Sequence, residues 1–361
     1  MQTGIVGLLY SGKSTLFSTL LSHQSSDGTA GYHGTTERGI IKVPDERLDR
    51  LTGMFNPKKK INATIEYLKV PGLEKATKQG EGLPPQFLAN IKTVDLILIM
   101  IRAFDNEMYP HPMGSVNPAR DIAFIEEEFL FSDLVIIESR IEKLEKMVLK
   151  TQDEKDKREL NVLQKFHSCL ESEKPLRTVL LDDNEEMLIK GYQFITRKPV
   201  LFVLNIGEND IRKINSLIDK YKVNIAQGSQ MTALSAEIEN EISKLDDEDA
   251  AEFLEDLKIT EPATSKLIRA TYDLIGLQSF FTVGADECRS WNIKKGTIAQ
   301  KAAGVIHSDL EKGFIRAEVV SYDDLVRLGS LQACKEHGIL RLEGKEYIVK
   351  DGDILNIRFN V

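Results

Sequence analysis

The spacing of apolar residues changes character three times along the chain. Residues 4–8 form a short run that reads as a buried strand, residues 14–21 begin a helix, and residues 63–70 and 96–101 read as two further strands. Strands alternating with helical stretches predict a parallel sheet covered on both faces. Residues 122–170 then contain neither glycine nor proline. Within them Leu134, Ile137, Ile141, Leu144 and Val148 recur at alternating steps of three and four, which is a coiled-coil seam. Glu138, Arg140, Glu142, Lys143, Glu145 and Lys146 supply a solvated mixed-charge face. The polar stretch 151–158 holds or adjoins a bend, and Leu160 and Leu163 resume the pattern, so an antiparallel helical hairpin is expected. Periodicity alone leaves open whether it is a spacer or a partner-binding arm. Residues 200–204 are apolar again and read as a return to the first sheet, which makes the hairpin an insertion. From residue 277 onward short strands at 280–283, 315–320, 347–349 and 354–359 predict a small mixed α/β domain. The expected organisation is an α/β domain at 1–116 and 197–276, a helical coiled-coil insertion at 117–196, and a terminal domain at 277–361.

Composition narrows the class. The 361 residues are 42% hydrophobic and 29% charged, which excludes a disordered or fibrous chain. With 47 Lys+Arg against 56 Asp+Glu the net charge is −9, so nucleic acid could be held only through a local patch. Lys58, Lys59 and Lys60, Lys294 and Lys295, and Arg289 are the candidates. Cys169, Cys288 and Cys334 are too dispersed for a disulfide scaffold or a zinc site. The longest purely apolar run, residues 96–101, is too short for a bilayer, and no basic leader precedes the first motif. A cytoplasmic, monomeric protein without membrane contact is expected.

One motif carries chemistry. Residues Gly7, Leu8, Leu9, Tyr10, Ser11, Gly12, Lys13 and Ser14, followed by Thr15, fit G-x-x-x-x-G-K-[ST]. Glycines let the backbone turn its N–H groups inward around phosphate oxygens, and the following helix adds its positive end. Lys13 would reach the β- and γ-phosphates, and the Ser14 hydroxyl would ligate Mg²⁺. The pattern arises by chance in a chain of this length about once in a hundred, and here it lies between a strand and a helix. A nucleoside-triphosphate site is therefore predicted. GTPase-like domains close a later strand with Asp-x-x-Gly; here the glycine is Gly72, but Lys69 stands at the aspartate position. The base-reading Asn-Lys-x-Asp is replaced by Asn205, Ile206, Gly207 and Glu208, which fits guanine poorly. Ser235 and Ala236, with Glu237, match the loop that meets the far side of the base.

With these motifs the chain resembles the Obg-like P-loop ATPases, or YchF family, a GTPase-related group. Gly80 to Leu83, Phe87 to Ile91 and Asn117 to Ile122 match it, and the last third matches most closely, from Phe280–Thr282 and Trp291–Thr297 to Arg358–Val361. The resemblance implies a P-loop domain, an inserted coiled-coil arm and a C-terminal ubiquitin-like β-grasp module of the TGS type. It also implies ATP binding in preference to GTP, slow hydrolysis, and ribosomes or their RNA or protein as partners. The first-switch threonine that closes on Mg²⁺ falls at Thr35 or Thr36, with Thr35 preferred. Leu73 follows Gly72 where Ras-like GTPases carry a water-orienting glutamine. Relatives carry Pro-Asn-Val where this chain has Leu9, Tyr10 and Ser11. The gravest departure is Lys69, since an ammonium in place of a carboxylate repels Mg²⁺. Glu66 lies on the opposite face of the strand and cannot replace it. Two expectations follow: Mg²⁺ held more weakly, through Ser14 and the phosphates, or Lys69 itself neutralising phosphate charge in a nucleotide-binding sensor or scaffold deficient in hydrolysis.

Overall fold

The computed structural model describes residues 1–22, 31–33, 36–73 and 83–360. Thr35 and residues 80–82 of the matched run lie outside these described residues. Two compact units are present: residues 1–40 with 66–264, and residues 41–65 with 265–361.

Along the chain run β1 (Gln2–Gly7), α1 (Lys13–Ser22), β2 (Gly31–His33), β3 (Thr36–Lys42), α2 (Glu46–Phe55), β4 (Lys59–Ile61), β5 (Thr64–Lys69), α3 (Pro85–Lys92) and β6 (Leu96–Ala103). Then follow α4 (Pro118–Thr151), α5 (Glu154–Glu171), α6 (Asp183–Ile189), β7 (Val200–Ile206), α7 (Ile214–Lys222), β8 (Ser229–Leu234), α8 (Ala236–Ile242), α9 (Asp247–Asp256) and α10 (Ala263–Leu274). The first sheet has the order β2-β3-β5-β1-β6-β7-β8. β1 pairs in parallel with both β5 and β6, and β6, β7 and β8 continue the parallel run. β6 and β7 are buried almost throughout, which is why both read as continuous apolar runs rather than alternating ones. The chain order reverses about β1, and ligands of open α/β sheets settle beyond the carboxyl ends of the strands at such a point.

The helical insertion forms as its periodicity implies. Asn117 caps α4, its side chain accepting from the Arg120 amide, and Pro118 takes the first helical turn where its missing N–H costs nothing. Gln152 ends α4 in the left-handed conformation and Asp153 caps α5, so the bend occupies two residues of the polar stretch. Ile137 and Leu144 of the seam are buried with Val162, Leu163 and Phe166. Leu176, Ile189 and Phe194 complete this core, so the returning segment packs against the hairpin as well.

The second unit is built on a sheet of order β12-β11-β13-β9-β10-β4, with β9 (Leu277–Thr282), β10 (Glu287–Lys294), β11 (Phe314–Ser321), β12 (Arg341–Glu343) and β13 (Asp353–Phe359). β9 and β10 are antiparallel, β13 lies parallel to β9, and β11 pairs antiparallel with both β12 and β13. α11 (Ala299–Ile306) buries Ala299, Ala302 and Ala303 against Phe280, Ile293, Val319 and Leu355. A helix laid across one face of a mixed sheet in this strand order is a β-grasp. Phe280 and Phe281 are fully buried on opposite faces, in separate clusters, and Trp291 stacks on Phe280 at 6.3 Å between ring centroids. Residues 347–349 do not form the strand expected of them. Only Ile348 bridges, to Ile298, through the Ala299 amide to Tyr347 O and the Val349 amide to Thr297 O, and the pairing stops there because α11 begins at Ala299.

Residues 41–65, which the sequence boundaries leave with the nucleotide-binding domain, pack in the second unit. β4 pairs with β10, Lys59 to Ile61 opposite Glu287 to Arg289, and Leu48 and Leu51 of α2 are buried with Phe281, Cys288 and Val320. The basic residues of this unit are partly neutralised at once: Lys58 pairs with Asp286, Lys60 with Asp49, and Arg289 with Glu287.

Candidate functional site

The loop between β1 and α1 opens a cleft of about 750 Å³ at the carboxyl end of the first sheet. Gly12 has φ +96°, and a Cβ there would lie 2.1 Å from Asn205 Nδ2, so only glycine fits. Gly72 approaches the loop from β5's end: a Cβ would meet Leu9 Cδ2 at 2.6 Å and Lys13 Nζ at 3.1 Å. The two segments are tied by backbone bonds from Leu9 N to Leu73 O (3.1 Å) and from Leu73 N to Gly7 O (3.0 Å).

Lys13 is buried, and its ammonium donates to the carbonyls of Gly7 (3.0 Å) and Leu8 (2.7 Å). Burial, with Lys69 adding repulsion, pushes its pKa down to about 8. A cation held this way, inside a glycine-rich turn and without a carboxylate partner among the described residues, is a site prepared for an anion. Ser14 is exposed at the first turn of α1, beside it.

Lys69 closes the opposite wall. Its ammonium is paired with the Glu37 carboxylate of β3, lies 3.4 Å from Ser14 Oγ, and stands 5.8 Å from the centroid of Phe17. Glu66 points away, accepting from Gln2 Nε2 (2.8 Å) and pairing with Arg38 (3.5 Å), as strand alternation requires. Among the described residues no group of three or more His, Cys, Asp or Glu could hold a metal ion. Ser14 and Glu37 are oxygen donors, but the Lys69 ammonium stands between them. With that ammonium between them, the described residues do not fit a protein-held Mg²⁺ at this corner. Thr35, expected to be a metal ligand, lies outside the described residues. Thr36 is buried, and its hydroxyl accepts from Asn90 Nδ2 at 3.0 Å.

The base side is built around Asn205 at the end of β7. Its Nδ2 donates to Ser11 O (3.0 Å) and its Oδ1 accepts from the Ala236 amide (2.9 Å). Both polar ends are occupied, so Asn205 acts as a strut between the phosphate loop and the β8–α8 loop. Ile206 and Ala236 line the cleft. Ser235 is buried and caps α8, accepting from the Ile238 amide at 3.5 Å. Glu208 begins an exposed turn and does not line the cleft.

Arg102, Phe104 and Tyr109 also line the cleft and escape sequence reasoning, whereas Tyr10 belongs to the motif itself. Tyr10 adopts a left-handed φ of 59° and sets its ring 5.4 Å from that of Tyr109. Arg102 donates to Phe104 O (3.0 Å) and Tyr109 O (2.8 Å), and its guanidinium lies over the Phe104 ring at 4.8 Å. The available signal is a lone arginine ending an otherwise apolar strand. His111, next to Pro110 and Pro112, is buried, with Nδ1 accepting from the Met113 amide at 3.1 Å, and packs this same loop.

A parallel sheet reversing at β1, a glycine-rich turn holding a buried lysine, and a helix beginning at that lysine together define a P-loop nucleotide-binding protein of the GTPase-like class. Family models agree: one described as "50S ribosome-binding GTPase" matches residues 2–165, and the YchF-GTPase_C model, described as a protein of unknown function, matches residues 277–360. The chain is 40% identical to the "Ribosome-binding ATPase YchF" of Bacillus subtilis, over 100% of both chains. It is 42% identical to the protein of that name from Haemophilus ducreyi, over 100% of this chain and 99% of the relative. The solved YchF GTPase of Schizosaccharomyces pombe superposes with a TM-score of 0.88 at 32% identity, over 99% of this chain and 97% of that one. The chain belongs to the YchF family. No described helix is long and apolar enough to cross a membrane.

Proposed function

We propose that this protein is a nucleotide-dependent switch that binds ATP, and GTP less well, and acts in association with the ribosome in the cytoplasm as a monomer. The observation that carries the reading is the cradle of Lys13 between the carbonyls of Gly7 and Leu8, facing a cleft whose base side presents Ile206 instead of a lysine. Leu9, Tyr10, Ser11, Gly12, Ser14 and Thr15 would surround the phosphates, and Gly72 would approach the γ-phosphate. Ribosome association follows from relatives named as ribosome-binding ATPases. Nothing on β5 replaces the metal-site aspartate, and Leu73 cannot orient water, so turnover is expected to be slow. The pairing of Lys69 with Glu37 beside Ser14 favours a second reading in which hydrolysis has been lost and occupancy alone is the signal.

The test is titration with ATP and GTP, followed by phosphate release on the same samples. Tighter ATP binding with slow release supports the switch; binding without release selects the sensor; no nucleotide binding overturns both. At the base, Ile206→Lys in the lining, combined with Glu208→Asp in the exposed turn that follows Gly207, is expected to move the ATP:GTP affinity ratio toward GTP by about threefold, less than a full carboxylate fork because residue 208 does not line the cleft. An unmoved ratio would show that this loop does not read the base.

A further inference from the structure

We infer that Lys69 serves as a built-in cation in place of a protein-held divalent metal, and that Glu37 is the counter-ion from which polyphosphate takes it. The inference rests on the nucleotide reading of the cleft. Three observations carry it. First, the Lys69 ammonium lies 3.4 Å from Ser14 Oγ, the hydroxyl that in a P-loop would ligate Mg²⁺. It thus occupies the corner where positive charge is required. Second, the Lys69 and Glu37 side chains are only 17% and 28% exposed, so the charges meet in a partly dried site. Third, without nucleotide Lys13 gives two of its three N–H donors to carbonyls, and among the described residues the cleft floor carries two ammonium groups against one adjacent carboxylate.

A triphosphate brings several anionic oxygens to this floor, where Glu37 offers one carboxylate. Lys69 has three N–H donors on a flexible stem, so it can exchange the carboxylate for phosphate oxygens with little movement of β5. Glu37 is then left beside phosphate of the same sign and is repelled. Since Glu37 belongs to β3, that repulsion transmits occupancy of the cleft to β3. Phe17, under the ammonium, keeps the stem in place during the exchange.

The test is calorimetric titration of the full chain with ATP, in excess EDTA and in millimolar Mg²⁺. Wild-type affinity is expected to change by less than about threefold between the two buffers. Lys69→Met is expected to lose about tenfold or more in EDTA, the size of a charge-assisted hydrogen bond, and Lys69→Asp to bind only with Mg²⁺. Glu37→Gln is expected to tighten EDTA binding by about threefold or more, because the competing carboxylate is gone. The wild-type comparison needs no variant to fold. A wild-type loss above about tenfold on removing Mg²⁺, or a Glu37→Gln affinity no tighter than wild type in EDTA, overturns the built-in cation and leaves nucleotide binding standing. No binding in either buffer overturns both.

Discussion

Lys13→Met is expected to weaken ATP binding by about a hundredfold or more, and to remove a pH dependence from the stability of the empty protein. The first effect follows from what the ammonium would do: two or more charge-assisted hydrogen bonds to phosphate, each worth about 1.5–3 kcal/mol. The second follows from what it does without nucleotide. Lys13 is buried and its pKa falls from 10.5 to about 8. Between these values the unfolded chain holds more protons than the folded one, so stability rises with pH across that window and is flat below it. The wild-type gain between about pH 8 and 10.5 is at most about 3 kcal/mol, and the methionine variant lacks it. Other lysines titrate in both proteins and cancel in the difference. Denaturant unfolding at pH 7.5 and 10.5, beside ATP titration at pH 7.5, measures both. Unchanged ATP affinity would withdraw the phosphate role of Lys13, and an unchanged stability difference would mean that the ammonium is better solvated than its surroundings suggest.

That lysine was legible from the sequence because everything it needs lies within eight consecutive residues. The same holds for the apolar runs that became β6 and β7, and for the hairpin, whose seam residues lie three and four apart. What escaped is what depends on partners far away in the chain. Lys69 is visibly anomalous at its position, but its counter-ion Glu37 lies 32 residues earlier, in a strand with no strong pattern. The strut role of Asn205 needs Ser11, 194 residues distant, so sequence spacing suggests only a base contact. β4 is three residues of lysine and isoleucine, with a partner strand at Glu287 to Arg289. No local propensity marks such a strand, since its stability comes from the sheet it joins. Residues 347–349 fail for a different reason: they do pair, but α11 begins directly after their partner Ile298, so the ladder ends after one bridge.

Asp133→Ala is expected to be the most damaging single change outside the cleft, costing about 3–5 kcal/mol. Asp133 lies in α4 with no exposed surface. Its carboxylate accepts from the amides of Ile195 (3.1 Å) and Thr196 (2.8 Å) and from Thr196 Oγ1 (2.7 Å). Thr196 Oγ1 in turn accepts from the Leu176 amide at 3.3 Å. The carboxylate thus pins both segments leading back from the helical insertion, four residues before β7 begins at Val200. Truncation strands two buried backbone donors and a hydroxyl, and a methyl group offers them nothing. Because β7 ends at Asn205 and Ile206, a displaced entry would also loosen the strut to Ser11, so ATP affinity should fall although no residue of the cleft has changed. Asp133→Asn retains one acceptor oxygen and should cost roughly half as much. Thermal unfolding of both variants, with ATP titration of each, tests the chain of causes. A cost below about 1 kcal/mol for alanine would mean that water enters and satisfies the three donors, and a destabilised variant with undiminished ATP affinity would separate the anchor of the insertion from the geometry of the base loop.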